Sequence, residues 1–451
     1  KVYDSKPQTI TYPGPNAVTG QMEYIGDILY DRTNPVVKVS PAIDEDKWYQ
    51  EYKLGYMIQS GEDLAKQESN LESASYQFDE CVESGIVQIV EQPNQSTKYE
   101  KDEIDVPESV NVAGTKLVFE AKDMCQNEMI ADKEYRIKVD KHAPEAELTV
   151  NGEIGFLNPI AGTISVNTTV SDNLTIEKAT IKIVKPDGSS VEKTICSDIE
   201  GTPLVSKNYS LDALLEENVA DGKYEITVTV TDKSGRSNFK TVSFVVDNIS
   251  PVVTVKITDG VTAGKQPGTN FDGTVCDYYY GSNVTMLLTY EDTNISPTNV
   301  DVIDNGDAVN VTWTQVNGTN KYQAVYVAKS EGKHVIRINA KDNAGNNAEE
   351  KTVEFVKDTK KPTMVLNVNG KTAFTDPLAG TVNIQADVAD DYTLNVAAIT
   401  VQGPDTDITK TLCDAGNQVL TKQDGRFTIT DLLGKDATDG DYTITLRVTD
   451  K

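Results

Sequence analysis

The sequence predicts an all-β protein in which several β-sandwich domains follow one another along the chain. Two short markers recur at nearly constant spacing, about 110 residues, which is close to the size of one sandwich domain. Apolar residues alternate in the segments around the markers. The length of 451 residues exceeds what one hydrophobic core usually holds. Thr, Val, Asn, Asp and Gly are abundant, a composition that favours strands joined by turns.

The first marker is Asp-x-x-x-Pro, which occurs four times. Its copies occupy positions 31–35, 140–144, 247–251 and 358–362, so that the prolines are almost evenly spaced. Because Pro lacks an amide donor and stiffens the chain, it suits the short connection between two domains. We therefore place a domain boundary at the Asp of each copy.

The second marker is an alternating run that ends in Asp and precedes the boundary. Its copies end at Asp123, Asp232, Asp342 and Asp450, again at nearly equal intervals. A polar turn and a second alternating run, such as residues 241–246, follow it. Two such runs joined by a turn predict the last hairpin of a sandwich.

The markers divide the chain into a leading segment and four domains. We predict that residues 1–30 are the C-terminal tail of a preceding repeat, and that domains 1 to 4 occupy 31–140, 141–247, 248–358 and 359–451. Domain 4 is expected to lack its last strand. Segments of domain 2 recur in domain 4, two domain lengths later. Domain 1 carries an aromatic insertion followed by a polar stretch, residues 61–73, for which we predict one or two turns of helix.

These repeats resemble the bacterial immunoglobulin-like (Ig-like) repeats of large Gram-positive-type cell-surface proteins and adhesins. The resemblance rests on strands that end Val-Thr-Asp, at 230–232 and 448–450, and on the turn Asn-Ala-Gly-Asn at 343–346. It implies Ig-like sandwiches arranged as an elongated rod, in a protein that is secreted or held at the bacterial surface. Members of the family serve as stalks, adhesin modules or spacers, and some bind host immunoglobulin.

Charge and hydropathy exclude two classes of partner. The formal net charge is −28, from 42 basic and 70 acidic residues, and would repel a phosphate backbone, so we predict no nucleic-acid partner. No apolar run reaches the roughly 18 residues that a membrane span needs. We expect a monomer that does not cross a membrane within this sequence.

Catalysis is not predicted. The only two histidines are His142, at a domain boundary, and His334, on a predicted strand, and neither stands beside an evident nucleophile. The sequence contains no Gly-rich phosphate loop and no H-E-x-x-H motif. We therefore predict no enzyme activity and no cofactor, apart from structural calcium.

Aspartates near the boundaries are candidate calcium ligands, because carboxylate oxygens suit that ion. We expect them to meet in three pairs: Asp123 with Asp140, Asp232 with Asp247, and Asp342 with Asp358. The alternative, which the abundance of turn-forming Asp favours, is that each side chain caps its own turn.

Two aromatic clusters are candidate contact surfaces for a host or environmental protein or glycan. The residues are Trp48, Tyr49, Tyr52 and Tyr56 in domain 1, and Tyr278, Tyr279 and Tyr280 in domain 3. Since side chains of a strand alternate between faces, at least one of the three consecutive tyrosines is expected to be exposed. The alternative for domain 1 is that Trp48 and some tyrosines fill the core.

The five cysteines are too few for a disulfide scaffold. Cys81 and Cys125 both lie in domain 1, at a separation that would allow one bridge between sheets, and the alternative is two reduced thiols. Cys196 and Cys413 occupy equivalent positions of domains 2 and 4, where we expect small buried apolar side chains.

The sequence thus predicts a non-catalytic segment that binds a host or environmental protein or glycan, with immunoglobulin as one candidate. The alternative is a passive spacer that presents a distal module or the catalytic domain of a large extracellular enzyme. Fold alone does not decide between them.

Overall fold

A computed structural model describes residues 31–62, 69–83, 86–90, 98–129, 133–259, 278–416 and 419–451. The chain forms two compact units, one from Lys1–Leu157 with Gly162–Val246, the other from Asn158–Ala161 with Asp247–Lys451. The fold is all-β, as predicted. The predicted tail at 1–30 and residues 63–68 of the predicted helical stretch at 61–73 lie outside the described residues, whereas Leu71 begins a strand.

Domain 1 contains two sheets, in the strand orders β1-β3-β6 and β2-β8-β7-β4-β5. Buried Leu54, Tyr56, Phe119 and Ile137 belong to its core. Its strands are β1 (Val36–Ser40), β2 (Trp48–Tyr49), β3 (Lys53–Gln59), β4 (Leu71–Asp79), β5 (Ile86–Val90), β6 (Lys98–Asp105), β7 (Thr115–Asp123) and β8 (Lys133–Val139).

Domain 2 contains a three-stranded sheet β13-β10-β9 and a four-stranded sheet β12-β11-β14-β15. Alternation is clearest in β14, where Tyr224, Ile226, Val228 and Val230 are buried and the residues between them are not. The elements are β9 (Glu145–Val150), β10 (Ser165–Ser171), β11 (Thr175–Val184), β12 (Ser190–Glu200), β13 (Leu204–Ser210), α1 (Leu211–Leu215), β14 (Gly222–Thr231) and β15 (Ser237–Val246).

Domain 3 contains the sheets β16-β18-β22-β21 and β17-β24-β23-β19-β20. A single 3-10 turn at Pro297–Asn299 precedes β19. The strands are β16 (Val252–Asp259), β17 (Tyr279–Tyr280), β18 (Val284–Glu291), β19 (Val300–Asp304), β20 (Asp307–Ala308), β21 (Thr314–Gln315), β22 (Lys321–Ala328), β23 (Gly332–Ala340) and β24 (Lys351–Lys357).

Domain 4 contains two three-stranded sheets, β25-β26-β29 and β28-β27-β30. Like domain 2, it has a short helix after the last strand of its first sheet, capped by Thr428. The elements are β25 (Thr363–Val368), β26 (Asn383–Ala389), β27 (Leu394–Gly403), β28 (Thr406–Asp414), β29 (Lys422–Thr428), α2 (Ile429–Leu433) and β30 (Thr443–Asp450). No helix among the described residues is long and apolar enough to span a membrane.

The predicted bridge between Cys81 and Cys125 is wrong for this fold. Both thiols are free. Cys81 follows β4 and Cys125 follows β7, and these strands are antiparallel with Leu71 opposite Asp123. The two cysteines therefore lie at opposite ends of the strand pair, roughly 25 Å apart by strand rise, far beyond the reach of a disulfide.

The two aromatic clusters form the same structural element in domains 1 and 3. Trp48–Tyr49 of β2 pairs in parallel with β8, and Tyr279–Tyr280 of β17 pairs in parallel with β24. In each case the boundary Asp follows the paired strand, and its amide donates to the second aromatic residue, Asp140 to Tyr49 at 2.9 Å and Asp358 to Tyr280 at 2.9 Å. The clusters thus close the edge of a sheet where the domain ends.

Most of the predicted contact residues are buried, which corrects the prediction of exposed aromatic surfaces. Five of them expose 8% or less of their surface: Trp48, Tyr52, Tyr56, Tyr279 and Tyr280. Tyr49 and Tyr278 are half-buried, so none of the three consecutive tyrosines is exposed. Alternation does send Tyr279 and Tyr280 to opposite faces, but the Tyr279 face is covered too, since Lys451 Nζ lies 5.6 Å from its ring centre.

Candidate metal centres

Three groups of aspartates share one construction. Each contains the boundary Asp, an Asp that follows the second long strand of the next domain, and an Asp at or just after the end of a later long strand of that domain, β14, β23 or β30. One carboxylate oxygen from each side chain lies within 4.8 Å of the others. We call them the first triad (Asp140, Asp172, Asp232), the middle triad (Asp247, Asp292, Asp342) and the third triad (Asp358, Asp390, Asp450).

The predicted pairing of these aspartates is wrong, although the predicted boundary residues do take part. Asp123 ends β7 and Asp140 follows β8, and antiparallel pairing places Thr115 of β7 opposite Ile137 of β8. The two carboxylates therefore lie at opposite ends of one hairpin. Asp140 instead meets Asp232, the turn Asp of the next domain, and Asp358 likewise meets Asp450.

The sequence prediction missed the central member of each triad. Asp172, Asp292 and Asp390 follow the strands β10, β18 and β26 and belong to neither marker. A signal was present, because Asp172 and Asp390 occupy equivalent places in domains 2 and 4 and each begins an Asp-x-x-Thr segment. The Oδ1 atoms of both accept two backbone amides of that segment, at 2.7 to 2.9 Å.

In the first triad, one oxygen of each carboxylate caps a turn and the other does not. Asp140 Oδ1 accepts the amide of His142 at 3.2 Å, and Asp232 Oδ1 accepts the amide of Arg236 at 2.9 Å. The Oδ2 atoms of Asp140, Asp172 and Asp232 are buried and accept no hydrogen bond from any described residue. Turn capping and a common ligand site are therefore compatible, since they use different oxygens.

Burial and mutual repulsion raise the pKa of several of these carboxyls. Desolvation, followed by the charge of Asp172, raises the pKa of Asp140 to about 7. Desolvation also raises the pKa of Asp172, and in the third triad it raises the pKa values of Asp358 and Asp450, with the charge of Asp390 adding to both. The described residues therefore supply too few hydrogen bonds and positive charges to stabilise the ionised form of each of these carboxyls.

The middle triad differs in having two amide side chains as partners. Asn294 Nδ2 donates to Asp247 Oδ2 at 2.6 Å, and Asn346 Nδ2 donates to Asp342 Oδ2 at 2.7 Å. In the first triad, the residue equivalent to Asn346 is Arg236, whose guanidinium donates to the Gln50 carbonyl instead. Neutral amides thus occupy oxygens in the middle triad that stay unpaired in the first.

Domain 1 begins with a similar arrangement that has only two carboxylates. Asp31 accepts the amide of Thr33 through Oδ1 and that of Ser69 through Oδ2, at 2.9 and 2.6 Å. Asp123 accepts the amide and the side-chain nitrogen of Asn127, both at 2.8 Å. All four carboxylate oxygens accept hydrogen bonds. Asp123, which the sequence predicted as a calcium ligand, is therefore already satisfied by hydrogen bonds from Asn127.

Polar contacts accompany the triads where two domains of one unit meet. In the first unit, Asn173 of domain 2 donates to Glu108 of domain 1 at 3.2 Å, and His142 lies 2.6 Å from the same carboxylate. In the second unit, Glu331 pairs with buried Lys357 at 2.6 Å and accepts the Thr359 amide at 3.0 Å. Hydrogen bonding from Lys357 lowers the pKa of Glu331 to about 2.

We expect Glu331→Gln to lower the free energy of unfolding of the second unit by about 1 kcal/mol at neutral pH, because the charge-assisted bonds to Lys357 and Thr359 weaken. A carboxyl whose pKa is lower in the folded state stabilises above its unfolded value of about 4.5, and this contribution disappears as pH falls towards 2. Urea unfolding should therefore show the two proteins converging over that range. A difference that does not change with pH would contradict this role.

Domain 3 also contains a Ser-His-Asp contact chain, which the sequence did not reveal. His334 Nδ1 lies 2.6 Å from Asp304 Oδ2, and its Nε2 lies 3.3 Å from Ser330 Oγ and 3.0 Å from the Ser330 carbonyl. A carbonyl only accepts, so Nε2 has to donate its hydrogen to it and does not accept the serine proton. With His334 only 1% exposed and stacked on Phe355, the chain of contacts is built as a core element.

Comparison with known proteins agrees with the fold. A family model described as bacterial Ig-like domain (group 3) matches residues 108–245 and 318–421, together more than half of the chain. No curated protein sequence matches.

Three solved structures are similar to this chain at low identity and low TM-score. A tetra-tandem repeat from the extending region of a large adhesion protein is 17% identical, over 92% of this chain and 95% of that one, with a TM-score of 0.35. A Ca²⁺-stabilised, ice-binding adhesin of an Antarctic bacterium is 17% identical, over 93% and 99%, with a TM-score of 0.23. A four-domain ectodomain fragment of ICAM-5 is 10% identical, over 92% and 98%, with a TM-score of 0.42. At these values the similarity carries no information on function.

Proposed function

From the premise that this chain belongs to the bacterial Ig-like domain family (group 3), we propose that it is a non-catalytic spacer segment of a secreted or cell-surface bacterial protein. In this role the domains hold other parts of the protein at a distance and recognise no partner protein or glycan themselves. The proposal follows the alternative that the sequence left open, in preference to direct binding.

The spacer role is supported most by the position of the aromatic clusters in the fold. Trp48–Tyr49 and Tyr279–Tyr280 are committed to closing a sheet edge beside the boundary Asp, through parallel pairing with the last strand. A contact surface would instead leave such large side chains accessible to a partner. Their burial favours a role in holding each domain to its successor within a unit.

The similar construction of the domain ends supports the same role. In three successive domains the amide of the boundary Asp donates to a main-chain carbonyl of the same domain, that of Tyr49, Ile160 or Tyr280, at 2.9 to 3.0 Å. A domain end that recurs in this way suits a repeated structural segment, whereas recognition would require only one specialised domain.

The test is a binding screen of the purified chain on host glycans, immunoglobulins and environmental polysaccharides. The proposal predicts no saturable retention on any of them. Tyr49→Ala and Tyr278→Ala serve as matched variants, because these are the two half-buried members of the clusters. Saturable binding that either variant abolishes without lowering Tm would contradict the spacer role and favour adhesion to a host or environmental protein or glycan.

A further inference from the structure

The first triad brings three carboxylates together, and the nearby His142 is held by a further carboxylate, Glu108, at 2.6 Å. Asp140 and Asp232 are 0% exposed, and three Oδ2 atoms have no hydrogen-bond donor among the described residues. No described Lys or Arg forms a salt bridge with any of the three carboxylates, and nearby Lys233 pairs with Asp198 and Glu200. Buried carboxylates without partners are costly, so this arrangement points to a missing positive charge.

The spacing of the carboxylates suits a hard divalent cation. One oxygen of each side chain lies within 4.8 Å of the others. Calcium binds oxygen at roughly 2.4 Å, so two ligands on opposite sides of the ion are about 4.8 Å apart. Carboxylates at this separation can surround one ion, while water and carbonyl oxygens complete the six to eight ligands that calcium takes.

The third triad, in the second unit, shares the close approach of three carboxylates and has one buried oxygen without a partner among the described residues. Asp390 is 9% exposed, and its Oδ2 is buried and receives no hydrogen bond from the described residues. One carboxylate oxygen each of Asp358, Asp390 and Asp450 lies within 4.8 Å of the others, and none of the three forms a salt bridge with a described Lys or Arg. The carboxylates of the middle triad lie equally close together, but Asp247 Oδ2 and Asp342 Oδ2 accept hydrogen bonds from the side-chain amides of Asn294 and Asn346.

We infer that the first and third triads are calcium-type divalent-cation sites, that the middle triad is satisfied by its own asparagines, and that the ions join the two domains of each unit. Each site takes one ligand from the end of a domain and two from the domain that follows. The ion therefore stabilises the junction more than either sandwich. The inference does not require the spacer role, because it rests on the carboxylates alone.

Calcium titration of the full chain, followed by calorimetry and by Tm, tests the assignment. We expect two ions per chain and a higher Tm in calcium than in chelator. Asp172→Asn and Asp390→Asn should each remove one ion, whereas Asp292→Asn should leave both. Asp436→Asn is the matched control, since Asp436 is an exposed loop residue outside the triads.

The sign of the stability change separates a cation site from simple turn capping. In chelator, Asp172→Asn should raise Tm, because it removes one of three repelling carboxylates, and in calcium it should lower Tm relative to the unchanged protein. If Asp172 only caps its turn, the variant should be less stable under both conditions. Asp232→Asn provides the same comparison should Asp172→Asn fail to fold.

Three results would overturn the inference. The first is the absence of any calcium-dependent heat or Tm shift in the unchanged chain. The second is stoichiometric binding that persists in both Asp172→Asn and Asp390→Asn. The third is the loss of an ion in Asp292→Asn, which would show that the amides of Asn294 and Asn346 do not replace the cation.

Discussion

Tyr56→Ala is expected to lower the free energy of unfolding of domain 1 by about 3–5 kcal/mol, the usual cost of deleting a large core side chain. Tyr56 is 3% exposed, and its ring centre lies 5.3 Å from that of Tyr76 and 5.1 Å from that of Phe119. Removing the ring leaves a cavity between the two sheets that neighbouring aromatic side chains cannot fill. Denaturant unfolding of the full chain, monitored by fluorescence, measures the loss.

Two variants control for this result. Tyr56→Phe keeps the ring and should cost less than about 1 kcal/mol, since it preserves the packed volume. Tyr49→Ala removes a half-buried ring and should cost less than Tyr56→Ala. If Tyr56→Ala left stability unchanged but weakened a binding activity, the residue would belong to a contact surface and not to the core.

Asp304→Ala is expected to destabilise domain 3 by about 2–4 kcal/mol, because it leaves the buried His334 Nδ1 and the Tyr326 hydroxyl without their hydrogen-bond partner. Asp304 Oδ2 faces His334 Nδ1 and accepts the Tyr326 hydroxyl hydrogen, both at 2.6 Å. Loss of the carboxylate strands a ring nitrogen that is buried beside Phe355. Thermal unfolding of the variant against the unchanged chain measures the effect.

Exposed Asp301 on the same strand offers the matched control. Asp301→Ala should change stability by less than about 0.5 kcal/mol, as surface substitutions usually do. A small effect of Asp304→Ala, comparable to that of the control, would mean that the Ser330, His334 and Asp304 contacts are not part of the core that supports domain 3.

The fold was accessible from the sequence because its signals are local. Alternation in β14 and the polar turn before β15 come from neighbouring residues, and the same pattern recurs in each domain. The parallel pairing of Trp48–Tyr49 with β8 was not accessible, since it joins segments from opposite ends of domain 1 and leaves no periodic trace. The clustered aromatic residues were therefore predicted to form an exposed contact surface, whereas in the structure they close the edge of a sheet.

The candidate site was predicted in part for a related reason. The markers identified the boundary and turn aspartates, such as Asp140 and Asp232, but paired each boundary with the turn of its own domain. In an antiparallel hairpin, the turn Asp and the boundary Asp of one domain are separated by the full length of the strands. The boundary Asp instead lies beside the turn Asp of the domain that follows, as Asp140 lies beside Asp232. Asp172 and Asp390 were discernible only as a feature that recurs between domains 2 and 4.

We expect the two domains of a unit to be held together at their junction. Backbone ¹⁵N relaxation of the full chain in calcium-containing buffer tests this most directly for domains 1 and 2. The claim predicts one common rotational correlation time for the amides of residues 36–123 and 145–231, as for a single body. Separate, shorter correlation times for the two domains would contradict it, because they would show sandwiches joined only by a flexible connection.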